Sequence, residues 1–189
     1  MAGPETTGVG MQQEIIISGF GGQGSLFSGQ LLAHAVMDAG LNVTWLPSYG
    51  PEMRGGKARC TVVVSDEEIG APLVRRPSAA VVLNIPSMQA FEPLVRPGGV
   101  LVVNRSLVPE SSERRDIRVV DVPATTTAIE MGDKRLANVL CLGALAEATG
   151  VVSLKAIAEA LDRHLPSRHR RLLELNYEAL RRGAAYARG

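Results

Sequence analysis

Cysteine is nearly absent. Cys60 and Cys141 stand far apart and belong to no C-x-x-C or Cys/His cluster. An iron-sulfur cluster or structural zinc built from this chain alone is therefore excluded, and the pair reads as two buried thiols in a reducing compartment. Histidine is equally scarce: His34, His164 and His169 share no metal-ligand spacing. No apolar run reaches the ~18 residues that a membrane span requires. The stretch from Met1 to Gln12 has neither a basic region nor an apolar one of secretory type. A cytoplasmic location is expected, with no membrane partner. Charge of one sign is also lacking, because 20 Lys and Arg against 19 Asp and Glu leave a net charge of +1. A protein that tracks nucleic-acid phosphates carries a marked basic excess, so nucleic acid is not an expected partner. No Ser/His/Asp set declares itself either, so any chemistry needs a reactive centre that this chain does not carry alone.

What is present is an ordinary globular composition: 189 residues, 46% hydrophobic and 21% charged, with 20 Gly and 11 Pro. Such a length fits one domain. The first two thirds alternate short β-branched runs with helical spacing. Glu14 to Ser18, Asn42 to Leu46, Arg59 to Ser65, Ala79 to Leu83, Val100 to Val103 and Ile117 to Val122 read as strands, several apolar enough for burial on both faces. Helical spacing occupies Ser25 to Ala39, stopped by Gly40, and Ser87 to Val95. Pro47 to Lys57, with two prolines and three glycines, is expected to be irregular. After Pro123 the period lengthens to about 3.6, giving helices over Thr125 to Met131, Leu136 to Thr149, Ser153 to Leu165 and Ser167 to Gly183. The helix from Leu136 is apolar all round, which makes it core or interface. The fold class is α/β: a doubly wound, mostly parallel sheet of about five to seven strands, helices on both faces, and a helical C-terminal third.

In such sheets ligands sit beyond the carboxyl ends of the strands. Gly19-Phe20-Gly21-Gly22-Gln23-Gly24 lies there, between a strand and a helix, with G-x-G-x-x-G spacing. Glycines at these positions allow a tight turn, close approach of an anion to backbone N–H groups, and helix–strand packing. Two absences weigh against a free-standing NAD enzyme or P-loop. No Asp or Glu ends the second strand, and no Lys follows the glycines. The loop from Ser48 through Tyr49, Gly50, Pro51, Glu52, Met53, Arg54, Gly55 and Gly56 to Lys57 brings a hydroxyl, a ring, a carboxylate and cations to the same edge. Long loops of this kind carry function, and Arg54 suits a carboxylate or phosphate. Asn84 and Asn104 each end a buried strand, as ligand-facing amides or as turn formers. The basic run Arg163, His164, Arg168, His169, Arg170 and Arg171 fits a solvated face better than a binding patch.

GFGGQG at 19–24 and SYGPEMRGG at 48–56, with SDEEIG at 65–70, PGG at 97–99, and Asn138 before Leu142-Gly143, resemble the gamma subunit (gamma domain) of 2-oxoacid:ferredoxin oxidoreductases. Ser25 departs from the aliphatic residue expected after the glycines. The likeness covers about Gln12 to Gly183, giving a single gamma-type domain over 12–183 and an N-terminal extension over 1–11 expected to be disordered. The wording is closer to the 2-oxoglutarate and branched-chain types than to the pyruvate type, with indolepyruvate enzymes as further relatives.

The resemblance implies oxidative decarboxylation of a 2-oxoacid with coenzyme A to acyl-CoA, carbon dioxide and reduced ferredoxin, the acceptor. The implied partners are alpha and beta subunits and a ferredoxin-like delta subunit, with gamma–gamma self-association open. Thiamine diphosphate, Mg2+ and iron-sulfur clusters would lie on partner chains, so this chain alone would hold no cofactor and would be inactive in isolation. Contacts to the active-site region would come from Gly19, Gly21, Gly22, Gln23 and Gly24. Those to substrate or partner would come from Ser48, Tyr49, Gly50, Pro51, Glu52, Arg54, Gly55 and Gly56. The alternatives are a stand-alone nucleotide- or phosphate-binding Rossmann-like module, or a scaffold that only oligomerises through the helix from Leu136.

Overall fold

The computed structural model describes residues 11–50 and 56–189, Arg168 without its side chain. The expected loop residues Pro51, Glu52, Met53, Arg54 and Gly55, and the first ten residues of the expected N-terminal extension, lie outside these. The sheet is built on β1 (Gln12–Phe20), whose Ile15, Ile16 and Ile17 are buried on both faces. A glycine turn leads into α1 (Ser25–Asp38), which ends at Gly40 in the left-handed region, with the Gly40 N–H bonded to the Met37 carbonyl and that of Leu41 to Val36. Then follow β2 (Asn42–Tyr49), β3 (Lys57–Ser65), β4 (Ala79–Val82), α2 (Ile85–Phe91), β5 (Val100–Asn104) and β6 (Arg118–Val122). The C-terminal third is helical: α3 (Ala124–Glu130), α4 (Ala137–Thr149), α5 (Leu154–His164) and α6 (Leu173–Arg188).

The six strands lie in the order β2-β3-β1-β4-β5-β6. Pairs β1–β4, β4–β5 and β5–β6 are parallel, while β3 is antiparallel to both β1 and β2. Five strands thus point one way and β3 the other, the mostly parallel sheet expected. From β1 the chain builds β2 and β3 on one side and β4 to β6 on the other, so the winding direction changes between β1 and β4. Open α/β sheets place their ligand crevice at such a point.

The local departures from the sequence reading have physical causes. β2 continues through Pro47 to Tyr49 instead of ending at Leu46. It is an edge strand, the one place in a sheet where a missing N–H is tolerated. The helix expected over Ser87 to Val95 stops at Phe91, since Pro93 cannot donate an interior helical bond, and the chain tightens into a 3-10 turn over Glu92–Leu94. The last helix likewise opens with a 3-10 turn at Ser167–Leu172 before α6. Ser153 caps α5 as expected, its hydroxyl accepting the Ala156 N–H at 3.1 Å.

One face of the sheet carries α1 and α4, flanked by α5 and α6; the other carries α2. Helix α4 is buried from Asn138 to Ala146, so its all-round apolarity belongs to core. It meets α6 through reciprocal glycines. A Cβ on Gly183 would collide with the Leu140 carbonyl, and one on Gly143 with that of Leu180. Arg118 of β6 donates to the Ala148 and Ala187 carbonyls, at the carboxyl ends of α4 and α6, where a cation also opposes the helix dipoles. Both thiols are buried, which pushes Cys60 up to about 11 and Cys141 to about 12, so each stays protonated at neutral pH.

Gly183→Ala is expected to cost about 3 kcal/mol, the upper end of overpacking, because the obstacle is backbone. A loss of that size lowers the melting temperature by roughly 6–12 °C. A second prediction concerns pH. His34 of α1 stacks on His164 of α5 at 3.9 Å, beside Asp38 and Arg163. Burial, then His164, hold His34 below the ordinary value of 6.5, with Asp38 opposing. The folded chain takes up this proton at lower pH than the unfolded chain, so stability is intact above the ordinary value and falls as pH drops below it. Melting temperatures should decline as pH falls below about 6.5, and His34→Gln should flatten the decline.

Candidate functional site

The crevice between β1 and β4 is filled by one side chain. Gly19 has no Cβ to block it, so Gln23 folds back over the turn. Its Oε1 accepts from the Phe20 N–H at 2.6 Å and from Asn84 Nδ2 at 2.9 Å, while its Nε2 donates to the Leu83 carbonyl at 3.4 Å. Asn84 meanwhile caps α2, its Oδ1 accepting the Ser87 N–H at 2.9 Å. Gln23 therefore joins the glycine turn to the loop after β4, and a cleft opens on each side of it.

The first cleft, about 200 Å³, lies over β4 to β6 and is lined by Gly22, Gln23, Asn104, Thr125, Lys134 and Arg135, with apolar Leu83, Leu107 and Ala137. Asn104 is an anchor here: Nδ2 donates to Thr125 Oγ1 at 2.9 Å and Oδ1 accepts the Thr125 N–H at 3.2 Å. Asp133 holds the Arg135 guanidinium at 2.5 Å and is itself kept below the usual carboxylate range, chiefly by that hydrogen bond. Lys134 is exposed beside it.

The second cleft, about 250 Å³, lies toward β2 and β3 and takes in Gly19, Phe20, Ser48, Tyr49, Gly50, Lys57 and Arg59, with α2 as its wall. Ser18 and Ser87 close its floor through a buried hydroxyl pair at 2.9 Å. Arg59 lies 5.7 Å over the ring of Phe91.

Each glycine of the 19–24 turn has its own task. The Gly21 N–H bonds to the Gly56 carbonyl at 2.9 Å, tying the turn to the end of the 48–56 loop. Gly24 sits at φ 82 with the Asn138 amide where a side chain would be. Asn138 Oδ1 in turn accepts from Ser28 at 2.9 Å, and its Nδ2 donates to the Arg135 carbonyl at 2.8 Å. Gly22, at φ 93, has nothing within 4 Å, so its approach is open to a ligand. The Ser25 hydroxyl, where an aliphatic residue was expected, bonds to the Ala58 carbonyl of β3 at 3.1 Å. Within the 48–56 loop, Gly50 closes on the Lys57 carbonyl at 2.7 Å, and Ser48 and Tyr49 are exposed at the second cleft.

Sequence reasoning missed Lys134, Arg135, Arg59 and Phe91. The Asp-Lys-Arg triplet before α4 is a visible capping signal, but its place opposite the glycines is set by tertiary packing. The basic run around α5 is largely a solvated face. Arg163 pairs with Asp38 at 3.0 Å and Arg170 with Asp162 at 3.5 Å, while His169 lines a small apolar cleft beside Gly24.

The two left-handed glycines should respond differently to alanine. Gly22→Ala carries backbone strain alone, about 1–2 kcal/mol. Gly24→Ala adds the collision with Asn138, so its urea midpoint should fall clearly further.

A family profile of pyruvate ferredoxin/flavodoxin oxidoreductases matches residues 14–186. The 2-oxoglutarate synthase subunit KorC of Methanothermobacter marburgensis is 41% identical over 163 residues, 82% of this chain and 88% of that protein. Among solved structures, the gamma subunit of a keto/oxoacid ferredoxin oxidoreductase from Geobacter sulfurreducens superimposes with a TM-score of 0.81 at 29% identity, covering 94% of this chain and 97% of that one. A 2-oxoglutarate:ferredoxin oxidoreductase from Magnetococcus marinus, with 2-oxoglutarate, coenzyme A and succinyl-CoA bound, gives 0.85 at 27% identity, and this chain spans 31% of it. With the profile covering nearly the whole chain and a relative so similar across most of its own length, the chain belongs to the pyruvate ferredoxin/flavodoxin oxidoreductase family, as a homologue of its gamma subunits.

Proposed function

We propose that the chain is the gamma subunit of a thiamine diphosphate-dependent enzyme that oxidatively decarboxylates a 2-oxoacid, 2-oxoglutarate before branched-chain acids, using coenzyme A and passing electrons to ferredoxin. The observation that carries this reading is the 41% identity to a 2-oxoglutarate synthase subunit across nearly all of that protein. Thiamine diphosphate, Mg2+ and the clusters would reside on alpha, beta and delta chains in the cytoplasm, and the isolated subunit would be inactive.

The clefts support this division of labour, because what they present is recognition chemistry: N–H groups, amides and cations. The first cleft suits the phosphates of coenzyme A. Gly22 leaves the backbone open to approach, and Lys134 and Arg135 face it from the start of α4. Lys134, without the close carboxylate that holds Arg135, carries the more available charge. A charge-assisted hydrogen bond contributes about 1.5–3 kcal/mol.

The test is reconstitution under anaerobic conditions. The chain alone should reduce no viologen with any 2-oxoacid and coenzyme A, and the complex with its co-purifying chains should. Lys134→Ala should raise KM for coenzyme A by about tenfold or more while kcat holds. Turnover by the single chain, or its recovery from lysate without partners, would overturn the assignment.

A further inference from the structure

The sheet is covered unequally. On one face α1 packs across β1, β2 and β3; on the other, α2 packs mainly on β1 and β4 and meets β3 where Arg59 lies over Phe91. The β2 end of the ribbon is exposed, at Leu46 and Ser48. Register places Leu46 and Ser48 of β2 beside Thr61 and Arg59 of β3, and Arg59 and Lys57 beside Ser18 and Phe20 of β1. That these side chains share the α2 face follows from Arg59 lying over Phe91 of α2 and from Ser18 bonding Ser87.

This face combines exposed apolar groups with cations that no described carboxylate pairs. Leu46 is 43% exposed and Phe20 36%, while Tyr49, 72% exposed at the rim of the cleft, alternates to the other side of β2. Arg59 and Lys57 are exposed and have no salt-bridge partner among the described residues. Among the described residues no Asp or Glu lines the cleft they border, and α2 carries no charge. Two cations within an apolar surround call for a carboxylate supplied from outside, with apolar side chains flanking it.

We propose that the second cleft and the adjoining β2–β3 face are a docking surface for an acidic segment of a partner chain, whose carboxylate reaches Arg59 and Lys57 while its neighbours pack on Phe20 and Leu46. This rests on the subunit reading and assigns to the complex the side of Gln23 opposite the cleft given above to coenzyme A. Arg59 is already oriented by the Phe91 ring, so little of its freedom remains to be lost on pairing.

The chain has three lysines, Lys57, Lys134 and Lys155, which makes zero-length carbodiimide cross-linking of the assembled complex a direct test. The expected result is a Lys57 amide to an Asp or Glu of a partner chain, found by mass spectrometry. Arg59→Glu should raise the dissociation constant of the complex at least about tenfold, with salt weakening the native complex, while Arg59→Lys restores most of the affinity. Because Arg59 is exposed, the melting temperature of the isolated variant should match the parent.

Unchanged assembly of Arg59→Glu with Lys57 unlinked would overturn the proposal. So would a link into a second copy of this chain, or a variant that assembles normally but shows a raised KM for 2-oxoacid or coenzyme A, the mark of a small anion in the cleft. Failure of the parent chain to assemble with any thiamine-binding chain would overturn the subunit reading itself, a result distinct from assembly through another face.

Discussion

The carboxyl edge of the sheet depends on a close approach that only glycine permits: the Asn138 amide occupies the position where residue 24 would carry a Cβ. Through that contact the first turn of α1 and the first turn of α4 meet, although more than a hundred residues separate them. Asn138 then binds both sides at once, to Ser28 on α1 and to the Arg135 carbonyl at its own helix start. Lys134 and Arg135 are carried to the glycine turn as a result. The cationic side of the first cleft is thus a consequence of packing at Gly24, and the helix–strand role of a third glycine in the G-x-G-x-x-G pattern here becomes a helix–helix role.

Gln23 gives the crevice its second property. In dinucleotide-binding sheets the space between the first strand and its parallel neighbour receives pyrophosphate. Here a side-chain carbonyl fills that space and saturates the Phe20 N–H and the Asn84 amide. The single crevice becomes two shallower ones with different walls, one facing α4 and one facing the β2–β3 ribbon. A fold associated with one ligand site thereby presents two surfaces without any added domain.

How far the sequence foretold this can be judged residue by residue. The buried strands, α1 with its stop at Gly40, and the capping of α5 by Ser153 were legible because each is decided locally, by apolar period and end residues. The reversal of β3 and the run of β2 through Pro47 were not, since strand direction and edge position depend on which strands pair. Asn84 and Asn104 could be placed at strand ends, yet whether their amides face solvent, a ligand or a neighbour is set by Gln23 and Thr125, far off in the chain. The same holds for Arg59, whose partner ring arrives on α2. Motif spacing located the edge where recognition occurs; the identity of most residues facing it emerged from packing.

The burial of α4 on every side bears on how the chain comes into being. A helix with no face for water needs a cover on its outer side, and α6 supplies most of it through Gly143 and Gly183. Before α6 docks, the outer side of α4 stays open and apolar, an exposure that favours aggregation. Docking of α6 and completion of the core are therefore one event, and a chain cut before Gly183 would keep the apolar side of α4 in water.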